Sequence, residues 1–257
     1  MSLHPGKNRP RRKRTGPSKR SPVRKLAGGH GSIRHKVLFR IYRELYGSFG
    51  PQQWWPGETR FEIIVGAILT QNTNWKNVEK AIKNLKAKKL LSPGKLHVLK
   101  QHQIARIIKP AGFFNVKAKR LKNFLDFLFD RYGGTFDLME KKDTWVLRSE
   151  LLGVNGIGPE TADSILLYAF NKPVFVVDAY TKRIFSRHRL VSSSEGYQQL
   201  QELFHTHLHR DEGMFNEYHA LIVTCAKRFC RSKPDCSSCP LAFLNKEARY
   251  GRFAYRP

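Results

Sequence analysis

From Ser32 onward, apolar residues recur at helical spacing. Leu121, Phe124, Leu125, Leu128 and Phe129 fall at i, i+3, i+4, i+7 and i+8, and Ala162, Ile165, Leu166 and Ala169 follow the same rule. Each set marks one face of a helix. Residues 61–69, FEIIVGAIL, are apolar nearly all round, as expected of a buried central helix. Ser92-Pro93 reads as an N-cap followed by proline at the first helical position. The one strand-like run is VFVV at 174–177, and it is short. The pattern predicts an all-α protein of roughly ten helices. No apolar run reaches the roughly 18 residues of a membrane span, and the N-terminus lacks the apolar core of a signal peptide.

Charge adds a partner to this picture. The chain has 257 residues, with 47 Lys+Arg against 20 Asp+Glu and a formal net charge of +27. Such an excess points to a polyanion, because each cation that neutralises a phosphate releases condensed counterions. A ribosome-associated protein, or a merely very soluble basic one, would carry the same signature. Residues 1–29 hold ten of the Lys/Arg and no acid. That Pro-, Gly- and Arg-rich stretch is expected to be disordered. It suits a phosphate-binding arm, and its RPRRKR string also resembles a nuclear or organellar address. Without the tail the body is still basic. Four cysteines, three of them within residues 230–239, argue for a metal or cluster site rather than disulfides.

The segment LLGVNGIGPETADSILLYA (151–169) reads as a helical hairpin. One helix ends near Leu152, Gly156-Ile157-Gly158 forms the turn, and Pro159 opens the next helix. The glycines permit positive φ and let a phosphate approach the turn amides and the helix N-terminus. Ile157 would plug the hairpin into its own helices. Taken alone, a Gly-x-Gly turn is equally an ordinary helical hairpin.

The string LLGVNGIGPETAD followed by VFVVDAY resembles the helix–hairpin–helix and Gly/Pro–Asp signature of the endonuclease III superfamily of DNA glycosylases, over most of residues 32–245. The resemblance implies two helical domains flanking a DNA-binding cleft. Residues 30–58 and 171–257 would form one, with a C-terminal Cys-rich loop. Residues 59–170 would form the other, a six-helix barrel carrying the hairpin. It also implies that Asp178 is the catalytic carboxylate. Breaking an N-glycosidic bond develops positive charge on the sugar, which a carboxylate stabilises while orienting water. By position alone Asp178 is equally an N-cap, and the two roles are compatible.

One departure is informative. Where bifunctional members carry a Schiff-base lysine, two residues after the second hairpin glycine, this chain has Glu160. A carboxylate cannot form an imine, so a monofunctional enzyme that leaves the abasic site intact is expected.

WWP, FEIIVGAILTQNTNW and AGFFNVKAKRL resemble a narrower subgroup, the 3-methyladenine glycosylases of the endonuclease III type. That resemblance makes Trp54, Trp55 and Trp75 the base pocket. By sequence alone these tryptophans serve equally well as core anchors, and adjacent Trp54 and Trp55 are not expected to face one core together. Gln71 maps to the residue that fills the gap left by a flipped base, and Asn72 reads as a helix C-cap. Alkylated purines are cationic, which electron-rich rings favour by about 0.5–2 kcal/mol per contact. Gly156, Ile157, Gly158, Lys182, Lys227 and Arg228 are the further expected DNA contacts, with Arg231 and Lys233 as basic neighbours.

CAKRFCRSKPDCSSCPL resembles the family's iron–sulfur loop, which implies a [4Fe–4S] cluster with Cys225, Cys230, Cys236 and Cys239 as ligands. The family spacing is C-x6-C-x2-C-x5-C. Here Cys230 to Cys236 is x5, and the fourth position falls on Asn245. Cys225 lies upstream on a helix, about 140° round from Cys230, and reaches the site only if the helix end unwinds. Zinc and an empty loop compete with the cluster. His205, His207, His209 and His219 read as surface residues.

The leading expectation is a monomeric glycosylase acting on alkylated purines in double-stranded DNA, placed in the cytoplasm or nucleoid if prokaryotic. A glycosylase or lyase for oxidised or mismatched bases and a non-catalytic DNA-binding hairpin protein are the competing readings.

Overall fold

The computed structural model describes residues 33–249; the basic tail 1–29 lies outside them. The described chain is helical, without a strand. In order the helices are α1 (Ile33–Phe49), α2 (Arg60–Leu69), α3 (Trp75–Ala87), α4 (Pro93–His97), α5 (Gln101–Ile107), α6 (Phe114–Tyr132), α7 (Asp137–Lys141), α8 (Thr144–Leu152), α9 (Pro159–Ser164), α10 (Ala179–Arg187), α11 (Tyr197–His207), α12 (Glu212–Arg228) and α13 (Ala242–Arg249). The count exceeds ten because α4, α5 and α7 span only five to seven residues. Pro93 opens α4 as expected, although the Ser92 side chain makes no capping bond.

Two apolar cores form. The first gathers α2, α3, α5, α6, α8 and α9, with Ile64, Ile68, Leu121, Phe124, Leu125 and Leu128 fully enclosed. Phe129, expected on that face, is half-buried and stacks on His97 instead. The second core gathers α1, α10, α11 and α12 around Tyr42, Phe175, Phe204, Phe215 and Tyr218. Ile63 of α2 packs against both cores. The uniformly apolar α2 is thus the shared wall, which is why it lacks a polar face.

Local signals set α2 in place. Thr59 caps its start by accepting the Glu62 amide, and Glu62 returns a bond to the Glu58 amide. At its other end the buried Lys117 amine donates to the carbonyls of Leu69 and Ala111, both at 2.8 Å. That satisfies one of the orphan carbonyls at the helix C-terminus. Burial, with the Arg120 charge added, pulls the Lys117 amine down to about 8.

Two departures from the sequence pattern matter. First, Ile165–Ala169 winds as a π-helix, continuing directly from α9. The expected stripe of Ala162, Ile165, Leu166 and Ala169 is buried, but Leu167 and Tyr168 are buried as well. The wider turn rotates Tyr168 away from where α-helical spacing would put it. Second, VFVV is extended yet unpaired with any strand. Side chains of α11 take the place of a ladder. The Phe175 amide donates to His205 Nε2 at 2.9 Å, Gln201 donates to the Phe175 carbonyl at 2.7 Å, and the Val177 amide donates to the Tyr197 hydroxyl at 3.4 Å. Buried backbone groups must find partners, and here the partners come from a helix.

His205 is therefore not a surface residue. Burial pushes its imidazole down to about 4, which keeps it a neutral acceptor. His219 is likewise buried, and His207 is half-buried with its carbonyl meeting His35 Nδ1; only His209 is exposed as expected.

Two of these α11 side chains, Tyr197 and Gln201, also converge on Asp163 of α9, which is fully buried. Arg148 of α8 engages both its oxygens, at 2.6 and 3.0 Å, while Tyr197 and Gln201 each donate at 2.7 Å. Removing one partner of a buried pair strands the other charge, at a cost of about 3–5 kcal/mol. Asp163→Ala should lose about that much, read from denaturant midpoints, whereas Tyr197→Phe should lose about 1 kcal/mol. Equal losses for the two variants would contradict this account.

Candidate functional site

A cavity of about 120 Å³ opens between the two cores. That suits one planar group rather than a drug-sized ligand, whose clefts run from roughly 300 Å³ upward. Its lining brings Trp54, Trp55, Trp75, Gln71, Glu160, Asp178, His219 and Lys227 together. These residues come from the segment before α2, the turn after it, and α3, α9, α10 and α12.

Each is placed by a local reason. The PQQWWPG segment before α2 carries no regular structure, and Gln52 clamps it to α12. Its amide donates to Glu217 at 2.8 Å, and its side-chain oxygen accepts from Thr224 at 2.7 Å. Trp54 and Trp55, joined by a cis peptide bond, both turn into the cavity with Trp75, as the family resemblance implied, although adjacent positions were not expected to face one core together. Trp55 meets Trp75 edge-to-face at 5.0 Å and Trp54 at 5.5 Å. Trp75 follows the Asn74 N-cap, and its indole donates to Glu79 at 2.9 Å. Gly66 makes the room: a Cβ there would lie 3.3 Å from both Trp55 and Trp75. The indole N–H groups of Trp54 and Trp55 are buried without a partner.

Asp178 is the N-cap of α10, so the capping role holds. Its Oδ1 accepts from the Thr181 amide at 2.7 Å and the Thr181 hydroxyl at 2.9 Å. Its Oδ2 lies 3.5 Å from His219 Nε2. Burial pushes the carboxyl up, but His219 and Thr181 outweigh it and hold Asp178 below the usual carboxylate range. Glu160 moves the other way, raised by burial and then by the Asp178 charge. The cavity therefore holds an anion beside an acid that gives up its proton less readily.

The hairpin departs from expectation in detail. Gly156 has φ +94, in the region that favours glycine, but Gly158 does not use positive φ. Ile157 is buried as the plug and spends its amide on Val154. Gln71 ties to this turn, donating to the Gly156 carbonyl at 3.1 Å and Thr161 at 2.8 Å and accepting from Arg120. Asn72 is left-handed (φ 53), while Thr70 is the actual cap of α2. Lys182, Lys227, Arg228, Arg231 and Lys233 are exposed. Phe113 was not singled out by its sequence. It is 69% exposed, with a left-handed backbone (φ 44), at the turn that leads into Lys117 and Arg120. An exposed aromatic held in a costly conformation is a marker of function that composition cannot carry.

Residues 65–209, which carry the hairpin and the aspartate that caps α10, match the HhH-GPD superfamily of base excision DNA repair proteins. The chain belongs to that family. A Methanocaldococcus jannaschii protein named as a DNA repair glycosylase is 50% identical over 80% of this chain and 94% of its own length. The structure of the H. pylori 3-methyladenine DNA glycosylase bound to 1,N6-ethenoadenine is 28% identical, with a TM-score of 0.65 over 76% of this chain and 97% of that one. A trapped endonuclease III–DNA covalent intermediate shares the fold, with a TM-score of 0.72 at 19% identity over 84% of this chain and 98% of that one. The protein is thus a DNA glycosylase of the base-excision type, with DNA as its partner. No helix among the described residues is long and apolar enough to cross a membrane.

The cysteine loop of this glycosylase departs from the expected ligand set. The end of α12 does unwind: it stops at Arg228, and the Cys230 amide bonds the Cys225 carbonyl at 3.2 Å. Cys225 and Cys239 bring their sulfurs to 3.9 Å, which pulls the Cys239 thiol down to about 7 and pushes Cys225 up. Cys230 sulfur instead meets the Arg187 guanidinium at 3.3 Å, and Cys236 is exposed. Asn245, at the fourth position, is exposed. Among the described residues no three metal-ligating side chains come together as a metal-holding group. So arranged, the loop brings Cys225 and Cys239 together, with Cys230 near enough to act on Cys225.

Because Gly66 sets the spacing of the indoles, Gly66→Val should displace them. Base release should fall about 10-fold or more, as a misplacement near 1 Å costs up to about 10²-fold. DNA affinity should stay within about two-fold of the parent, since the exposed cations are untouched. Unchanged tryptophan emission and unchanged release would contradict this placement.

Proposed function

We propose that this glycosylase is monofunctional and removes alkylated purines of the 3-methyladenine type, with Asp178 as the carboxylate and Trp54, Trp55 and Trp75 as the base pocket. The observation that carries the reading is the cavity itself: three indoles enclose a small space whose nearby titratable groups include Asp178 and Glu160. A cationic N-alkylated purine is drawn to such faces and such charge. It also leaves as a neutral base, so it needs little protonation. The orphaned indole donors of Trp54 and Trp55 have unmet hydrogen-bonding capacity. Asp178, held ionised, stabilises the sugar cation and orients water. The 28% identity to a 3-methyladenine glycosylase supports the same choice.

The DNA would lie across Gly156–Gly158, Lys182, Lys227 and Arg228, with the target flipped into the cavity. Gln71, which lines the cavity, would fill the vacated stack, and the exposed Phe113 is a second candidate wedge. The two apolar cores are read as two domains, 59–170 and 30–58 with 171–257, working as a monomer.

One observation favours a second reading. Lys227 lines the same cavity, its amine 6.0 Å from the Trp54 ring. A lyase would need such an amine as its nucleophile.

The test is to incubate the protein with duplexes carrying 3-methyladenine, 7-methylguanine, thymine glycol, or adenine opposite 8-oxoguanine. Free methylated purine should appear, the strand should break only after alkali, and borohydride should trap no adduct. An adduct mapping to Lys227 supports the lyase reading, and release of only the non-alkylated bases overturns the substrate assignment. Asp178→Asn should retain DNA binding while losing about 10²-fold or more of its base release.

A further inference from the structure

His219 was expected at the surface, yet it is buried beside the carboxylate. Its Nδ1 lies 2.5 Å from the Tyr168 hydroxyl, and its Nε2 lies 3.5 Å from Asp178 Oδ2 with no closer partner. Tyr168 reaches that point because Ile165–Ala169 is a π-helix. Its ring also packs 4.8 Å from Trp55.

The direction of the protons follows from the environment. Burial, with the Asp178 charge added, holds the phenol proton on Tyr168 far above its ordinary range. Ionised Asp178 can only accept, so the His219 nitrogen that faces it, Nε2, carries a proton. Nδ1 is then the atom that accepts from the Tyr168 hydroxyl. Nε2–H thus faces Asp178 Oδ2, while Thr181 occupies Oδ1. At 3.5 Å the contact is long, as catalytic contacts in unliganded sites often are.

We propose that His219, its tautomer set by Tyr168, is a positioning residue for Asp178. It fixes the rotation of the carboxylate and keeps it ionised, and Tyr168 carries that arrangement to the wall of the base pocket at Trp55. The inference rests on the reading of Asp178 as the working carboxylate. The other titratable groups facing this cluster are Glu160 from α9, Tyr180 from α10 and Lys227 from α12.

The sign of the pH effect is set. Asp178 sits below the usual carboxylate range in part because of His219. Losing His219 raises it, so the acid limb of the base-release rate should move to higher pH. Single-turnover release from methylated duplex DNA, followed from pH 3.5 to 8, tests this in His219→Phe, His219→Gln and Tyr168→Phe. We expect a rate loss of about 10-fold or more in His219→Phe, from a misoriented carboxylate. Its acid limb should move to higher pH, because the limb follows the carboxyl that His219 helps hold down. Tyr168→Phe should move the same way by less, and His219→Gln, which keeps a donor, should recover part of both. DNA affinity should be unchanged throughout.

Tyr168→Phe removes one oxygen only and serves if His219→Phe does not fold. A rate loss without movement of the limb, or a shift that vanishes in a Glu160→Gln background, overturns the inference. So does parental behaviour of both variants while Asp178→Asn is inactive. If Asp178→Asn itself releases bases at the parental rate, the underlying reading of the carboxylate fails instead.

Discussion

The buried carboxylate of Asp163 is the point on which the rest of the architecture turns. It sits on the second helix of the hairpin and takes four donors from α8 and α11. An ionised group in a protein interior is tolerable only when its lone pairs are filled. Filling them draws α11 of one core against α8 and α9 of the other. Two of those donors, Tyr197 and Gln201, also bind the backbone of the extended run that ends at Asp178. A single polar knot therefore fixes both the seam between the cores and the height at which the next helix begins.

From that seam the chemistry follows. The wall shared by the cores is α2, whose Gly66 leaves space for two indoles, and the cap of α10 supplies the carboxylate. On our reading these make a box for a flat, cationic base above a sugar whose developing charge meets Asp178. The absence of an amine at position 160 fits a leaving group that departs without covalent help, and Lys227 is the nearby amine that keeps the other course chemically conceivable. The cysteine loop takes no part in this arrangement: Cys225 and Cys239 pair, and Cys230 meets Arg187.

Much of the site was legible because its signals are local. A hairpin with Gly156 at positive φ, a proline opening α9 and an aspartate before α10 are all short-range patterns with short-range causes. The histidines were not legible. His205 and His219 carry no periodic signal that separates a buried acceptor from a solvated surface residue, since their partners lie 30 or more residues away. Phe113 was missed because exposure and backbone conformation are invisible in a residue's identity. Trp54 and Trp55 were placed in the pocket by family resemblance alone; their adjacency gave no sign of it, and the segment that carries them is tied to α12 by Gln52.

By itself, the amino-acid order determined the helical class, the polyanionic partner, the hairpin and the carboxylate that caps the helix after it. These rest on periodicity, net charge and turn chemistry, which act within a few residues. Only the tertiary structure decided that VFVV is a strap held by side chains, that a π turn delivers Tyr168 to His219, and that Cys225 pairs with Cys239 while Cys230 meets Arg187. Each of those depends on which distant group satisfies a buried donor or acceptor. Such pairing is settled by packing of the whole chain, and no window along it contains both partners.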